Sequence, residues 1–532
     1  MRPGNCSRLL FIAFAAAVVP FPGYSQSSSE PSSTQWLSAS AAARFLDQAT
    51  WGPTPATIAQ SQQTGISNWL AAQFASSTSD IPDQPMLTSA GLPNRDIRPV
   101  QAAFFQNTVT GQDQLRQRVA FALSQIWVVS AGGGVPAAYA YPPYWRVFRN
   151  NAFGNYRDVI RAVTLSPAMG RYLNMANNNK ANPRKDTSAN ENYARESMQL
   201  FTLGLTELNP NGTPVLDQNN NPIPTYDQTV VTSMAKVFTG WTYPTAPGAT
   251  ARTNNPEYYV GQMFAVESEH DTTAKTIFAS ITIPAGQTAE QDLESLLDAL
   301  MAQPTMAPFV SQQLIQHLVT SNPSPQYIAR VSTVFQNDGN GVTGNLQAVI
   351  TAILTDPEAR AGDDPTAAIN PTFGHMREPV LFMPNILRGL NATLSSNSAV
   401  YYDSSEMDEN LFNAPSVFSY FSPLYRVPGG LLGPEFQIYT TQTAVDRAGI
   451  VYAALYGQIA QGTTVNLTPF VQQAGSTSSL LSYISSIFLH GSMSAALAQA
   501  ATDAINAAGT PLAKVQAALY VVLTSGEYQI IH

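Results

Sequence analysis

The sequence predicts a mainly α fold: one large multi-helical globular body with small β-hairpin insertions. Three observations predict it. Apolar residues recur at spacings of three and four in segment after segment, as on one face of a helix. Alternating, strand-like patterning is confined to two short stretches. The 532 residues, 44% hydrophobic and 10% aromatic, supply ample material for a buried core, and no fixed-period repeat suggests a solenoid. Length alone allows two to four domains as well as one body. The helical domain is expected over 40–530, with a subdivision allowed near residue 390.

The N-terminus carries Arg2 and Arg8, then an eleven-residue apolar run from Leu9 to Val19, then Pro20, Pro22 and Gly23. This is the pattern of a signal peptide, expected over residues 1–25. The run is shorter than the roughly 17–25 residues that span a bilayer. A polar linker follows over 26–39. No later segment has 18 continuous apolar residues, so no membrane span is expected after cleavage, and the mature chain is expected to be soluble and either secreted or periplasmic. The single cysteine, Cys6, belongs to the leader. A cysteine-free mature chain has no disulfide, thiolate ligand or cysteine nucleophile. Removing Arg2 and Arg8 leaves 24 cations against 35 acids, moving the formal charge from −9 to −11. Only 11% of residues are charged, against about 25% in ordinary soluble domains. Nucleic-acid binding through a general basic surface is thereby excluded.

The helices follow in order. Ser40 is placed to cap a segment carrying Phe45 and Leu46, and Ile58, Trp69, Leu70 and Phe74 continue the pattern beyond Pro53 and Pro55. Over 112–129, Leu115, Val119, Ala122 and Ile126 form an amphipathic stripe closed by three glycines at 132–134. Helices are expected at 156–165 and 190–203, then around Leu293–Met301, from Pro308 to Val319, at 328–335 and at 346–354. Three more fall at 441–459, 480–489 and 512–523. The Asn-rich stretch 212–227 reads as a hairpin, and 258–266 as a second extended segment.

Two motifs are false friends. Gly339, Gly341 and Gly344 match G-x-G-x-x-G, but a helix precedes them where a dinucleotide site needs a strand, so they form a helix–turn–helix connection capped by Asn345. Asp217, Asn219 and Asn221 begin like a calcium loop, but Pro222 and Gln228 stand where Gly and Glu are needed. No nucleophile elbow, P-loop or H-E-x-x-H is present.

The block NENYARESMQLFTLGL (190–205), with FTGW (238–241) and HDTTAKTIF (270–278), resembles a large bacterial family catalogued as domain of unknown function 1800 (DUF1800). FLDQATWGPTPATI, RQRVAFALSQIWVVS, VSQQLIQHLVTSNPSPQYIARV and NAPSVFSYFSP also fit. The resemblance covers about residues 40–525. It implies a secreted, mainly helical protein of no established activity, with a secreted sulfatase-like protein as partner. Many members carry a His-Asn-His cluster after the tryptophan-containing helix. The matching stretch Ser124–Ser130 holds no histidine, a departure from the family pattern.

Candidate chemistry concentrates in two places. On a helix over 190–203, Glu191, Asn192, Arg195, Glu196 and Gln199 share one face, and Glu191→Arg195 is an i,i+4 pair. The face reads either as a polar site, with Glu196 as base or ligand and Arg195 as anion anchor, or as a solvated face. In Glu267-Ser-Glu269-His270-Asp271, an extended chain sets the three acids on one side and His270 on the other. That arrangement favours a hard cation or a charged histidine, and a surface loop is the plainer reading. The expected catalytic set is Glu191, Arg195, Glu196, His270 and Asp271. If the two segments meet, Glu196, His270 and Asp271 (with Glu191) suit a divalent metal such as Mn, Fe or Zn. His317 reads as a core or boundary residue, His375 as part of a loop before a helix, His490 as a cation at a helix C-terminus, and His532 as a mobile end. Tyr139, Tyr141, Tyr144 and Trp145 either line a glycan cleft or pack an irregular loop. The chain is therefore expected to be an exported, hydrolase-like envelope or extracellular enzyme with a carboxylate/His/Arg site. The alternative is a non-catalytic binding or assembly protein working with a secreted partner.

Overall fold

Helix caps place the first elements. In the computed structural model, which describes residues 37–278, 281–364 and 370–532, the Ala39–Ala49 helix starts at Ser38, whose hydroxyl accepts from Ala41 N. The cap is thus two residues before Ser40, and the Ser40 hydroxyl donates instead to the His490 carbonyl oxygen. Thr54 and Thr57 form a reciprocal capping box for Pro55–Phe74, which satisfies two donors that would otherwise be orphaned. The expected leader and most of the linker lie outside the described residues.

The expected helices appear at Tyr156–Thr164, Ala289–Met301, Met306–Leu318, Pro325–Gln336, Leu346–Thr355, Thr441–Leu455, Thr477–Phe488 and Pro511–Leu523. Asn345 caps its helix by accepting from Ala348 N. Further helices at Arg98–Thr110, Tyr141–Asn151, Gln228–Val237, Pro379–Gly389 and Ala495–Ala507 complete the mainly α body. Four two-stranded antiparallel sheets decorate it. The 205–225 stretch folds back through the isolated bridges Thr206–Pro224 and Leu216–Pro222, and Phe264–Ala265 pairs with Trp241–Thr242. Among the described residues, no helix is long and apolar enough to cross a membrane.

The Gln114–Ile126 helix is the axis of the fold. The stripe seen in the sequence suggested an amphipathic element, yet all of its residues except Arg116 and Ser124 are buried. Pro55–Phe74, Arg98–Thr110, Tyr141–Asn151 and Met306–Leu318 all pack on it. Its polar residues Gln114, Gln117, Arg118 and Gln125 therefore lie inside the protein. Trp51, Phe104 and Trp145 meet edge to face beside it at 5.2–5.4 Å, and Tyr139, Tyr141, Tyr144 and Trp145 are all core residues. One contiguous hydrophobic core runs from Ala42 to Ile531, across residue 390.

Tyr528 and Ile531 belong to this core. Ile530–Ile531 pairs with His375–Met376, and Arg377 N donates to the Gln529 carbonyl at 2.8 Å. Asp47 anchors the same region. Its Oδ2 accepts from Arg377 and lies 2.9 Å from His490 Nε2, and its Oδ1 accepts from Asn385 at 2.7 Å. Burial pushes the Asp47 carboxyl up, but Arg377 and His490 outweigh it and hold it down at about 2. His490 is itself lowered, by burial above all, which corrects its reading as a dipole-stabilised cation. His532 is held rather than mobile: its carbonyl accepts from Gln48, and burial lowers its ring to about 4.

Candidate functional site

The 190–203 segment folds as a short α-helix, Asn192–Glu196, that widens into a π-turn over Ser197–Thr202. Two side chains use the widened turn. Tyr156 donates its hydroxyl to the Phe201 carbonyl at 2.7 Å, and Trp127 lies on the Phe201 ring at 4.3 Å. The polar face stays partly exposed, as the sequence spacing implies. Glu191 accepts from Arg195 at 3.2 Å, from Gln228 at 2.8 Å and from Thr232 at 2.8 Å, tying this turn to the Gln228–Val237 helix. Glu196 is half-buried, and burial raises its carboxyl against the pull of Arg195.

The second predicted segment is also wired into its neighbours. Glu267–Glu269 is a 3-10 turn rather than an extended strand, so the expected alternation of acids and histidine does not form. His270 points fully inward. Its Nδ1 lies 2.9 Å from the Thr239 carbonyl oxygen and its Nε2 3.0 Å from Asp292 Oδ2. Lys275 Nζ meets the same Asp292 oxygen at 2.6 Å. Gly240 allows this approach: it sits at φ +85°, and a Cβ there would stand 2.9 Å from His270 N. Asp271 accepts from the Thr273 amide and hydroxyl. Burial works against its charge, yet those bonds hold its carboxyl below the usual range.

Among the described residues, no hydrogen bond or ion pair joins Glu191 or Glu196 to His270 or Asp271, and no three His, Cys, Asp or Glu side chains are grouped to hold a metal ion. The set Glu196, His270 and Asp271 is thus divided between two local networks. Each segment is tied at its edge to the 178–180 stretch: Lys180 N donates to the Glu269 carbonyl, and Asn190 N donates to Asn178 Oδ1.

A different constellation forms where the axial helix, the Met306–Leu318 helix, the 416–423 loop and the Pro434–Ile438 turn converge. Gln125, Gln313, His317, Ser419 and Glu435 line a cleft of about 60 Å³, room for a few water molecules. Three buried atoms of these residues, Gln125 Oε1, Gln313 Nε2 and Glu435 Oε2, have no partner among the described residues. Such orphans are uncommon in folded proteins and costly to bury. Glu435 Oε1 lies 3.3 Å from His375 Nδ1. His317 is lowered to about 3, by burial first and then by Arg118 and His375, so its imidazole is neutral in all but strong acid.

Behind Gln125 lies a carboxyl pair. Gln125 Nε2 donates to both Glu378 oxygens at 2.9 Å, and Val380 N donates to Glu409 Oε2 at 2.7 Å. Glu409 Oε1 has no donor, and its carboxyl faces that of Glu378. Burial, reinforced by Glu435 and opposed by Arg118, drives Glu378 up to about 7. Burial and then Glu378 drive Glu409 well above the carboxyl range. Two like charges cannot both ionise cheaply in such a place. Arg118, fully buried, donates to the His317 carbonyl oxygen and leaves Nε and Nη1 unpaired. Burial lowers its pKa to about 10, so it supplies a fixed positive charge at neutral pH.

The sequence assigns His317 and His375 no catalytic part and does not single out Arg118, Gln125, Glu378, Glu409 or Glu435, because these residues are far apart in the chain. The available signals were weak: polar Arg118 and Gln125 within an apolar stripe, and three ionisable residues in FGHMREP in a chain poor in charge. A family model described as "Protein of unknown function (DUF1800)" matches residues 44–530. No curated protein and no solved structure matches the chain.

Proposed function

Because the chain belongs to the DUF1800 family, whose description assigns no activity, we propose its function from its own side chains: a hydrolase-type acid–base enzyme working in the cleft between Gln125, His317 and Glu435. The observation that carries this reading is the conjunction of orphaned cleft atoms with the buried Glu378–Glu409 pair behind Gln125. Perturbed carboxyls beside a specific charge partner in a cleft are a recognised mark of acid–base chemistry.

In this reading Glu435 Oε2 takes a proton from water in the cleft, with His375 steadying Oε1. The oxygen of that water attacks the carbonyl carbon of an ester or amide presented to the cleft. Negative charge developing on the substrate faces Gln313 Nε2 and the field of Arg118. The proton then passes to the leaving group as the bond breaks. Glu378 and Glu409 hold one proton near neutrality and set the potential around Gln125. The Glu191–Arg195 and His270–Asp292–Lys275 networks staple elements together. The leader pattern supports an exported setting.

The test is a panel of chromogenic esters and amides presented to the purified chain. Turnover that falls by about 10²–10⁴-fold in Glu435→Gln, with an unchanged melting temperature, is the expected result. Wild-type turnover that survives this substitution, or its absence on the whole panel, overturns it. The second reading, a non-catalytic binding protein working with a secreted partner, is favoured by one observation: Phe418, Leu424, Tyr425 and Leu431 stand exposed in the 416–432 stretch beside the cleft. Co-purification of a single stoichiometric partner, lost in Leu424→Ser/Leu431→Ser, would replace the enzymatic reading if turnover is absent.

A further inference from the structure

A larger cavity, about 750 Å³, opens in another part of the molecule and shares no lining residue with the carboxyl cleft. Its wall is the 174–190 loop, closed by Tyr243 and the Ser268–Glu269 turn. Ligand sites of this size are ordinarily lined by apolar side chains. This one is lined mostly by amides and charged groups, so an apolar ligand has nothing to bury against.

The wall is built before any ligand arrives. Asn177 N donates to the Trp241 carbonyl at 2.7 Å, Lys180 N to Glu269 at 2.8 Å, and Asn182 N to Thr187 at 3.0 Å. The Asn178 amide is fully engaged with the backbone of Asn190. Other amides are not used up. Asn174 and Asn179 make no side-chain hydrogen bond among the described residues, and the oxygens of Asn182 and Asn190 accept backbone amides while their NH2 groups make none. A preformed wall with spare amides suits a ligand rich in hydroxyl groups, since little ordering is lost on binding.

Charge narrows the class. Only five of the 532 residues are lysine, and two of them, Lys180 and Lys185, line this cavity without an ion-pair partner among the described residues. Arg171 is paired with Glu257 at 2.8 Å, and Glu269 is the one acid in the lining. In a chain of net charge −9 this is a local excess of cations. The cavity's lone aromatic, Tyr243, is 4% exposed, so it offers no face on which a nucleobase can stack.

We propose that this cavity binds an acidic oligosaccharide: the spare asparagine amides take its hydroxyl groups, and Lys180 and Lys185 take its carboxylate or sulfate groups. The site is independent of the acid–base reading above.

Isothermal titration of the purified chain with hexagalacturonate, a heparin-derived hexasaccharide and neutral maltohexaose tests it. Binding of at least one acidic sugar and not of maltohexaose is expected, and which acidic sugar binds separates carboxylate from sulfate recognition. That binding is expected to weaken about tenfold or more in Lys180→Gln/Lys185→Gln and in Asn174→Ala/Asn179→Ala, with the melting temperature retained. It is expected to stay unchanged in Glu435→Gln. No binding of either acidic sugar at millimolar concentration overturns the proposal, as does equal binding of maltohexaose. Binding that survives both double variants, or that a hexanucleotide displaces as well as the sugar does, overturns it too.

Discussion

Asp47 and Glu378 are both closed off from solvent, yet the first is held ionised at about 2 and the second is driven up to about 7. The difference lies in their partners. Asp47 meets the cation Arg377 directly, and His490 and Asn385 complete its shell. Glu378 accepts from a single neutral amide, looks across at Glu409 and Glu435, and has Arg118 as its one opposing charge. A buried carboxylate fully supplied with donors is an anchor. One left short of them, beside a second carboxyl and an open cleft, holds a proton that chemistry can use.

The sharpest way to break this contrast is to remove the anchor. Asp47→Ala strands the Arg377 guanidinium in the core and is expected to cost about 3–5 kcal/mol, read by urea denaturation at pH 7. The wild-type Asp47 contribution is present above the unfolded-state pKa of about 3.9 and fades as pH falls toward 2. The mutational penalty should therefore shrink in acid.

Glu378 carries the opposite sign. Below about pH 4.3 the carboxyl is protonated whether the chain is folded or not, and it costs nothing. As pH rises from there through 7, the unfolded chain ionises first and the folded state loses ground. Glu378→Gln is expected to gain stability over wild type between pH 5 and pH 8, by about 2 kcal/mol. A gain that does not grow with pH across this range would remove the proton-holding pair. The same variant should abolish any limb near pH 7 in the pH–rate profile, and no limb should come from His317, which is neutral down to about 3. The smallest effect belongs to the exposed staple: Glu191→Ala is expected to cost under about 1 kcal/mol, measured the same way. A loss several times larger would show that the 190–203 face carries more than a surface contact.

The comparison also explains what could be read from the chain alone. Local rules served well where structure is local. The cap at Asn345 and the apolar spacing from Leu293 to Phe335 fix helices through neighbours three or four residues apart. The helices at Arg98–Thr110 and Tyr141–Asn151 were hidden because prolines at their first turns resemble loop punctuation. Clusters of charge along the sequence drew attention to Glu191–Glu196 and Glu267–Asp271, which turned out to be hydrogen-bonded mostly to their own surroundings. The cleft and the pair behind it draw Arg118, Gln125, His317, Glu378, Glu409 and Glu435 from positions spread over more than half the chain. Only the burial of the axial helix, a tertiary event with no one-dimensional signature, brings them together.

The pairing of Ile530–Ile531 with His375–Met376 has a consequence for local unfolding. The segment bearing His375, Arg377 and Glu378 receives its strand partner, and Arg377 its carbonyl acceptors on Tyr528 and Ile530, from residues about 150 positions further along the chain. Peeling Ile530–Ile531 away therefore removes the clasp that locks this segment in place. Any event that opens this strand pair therefore unlocks the carboxyl centre along with it.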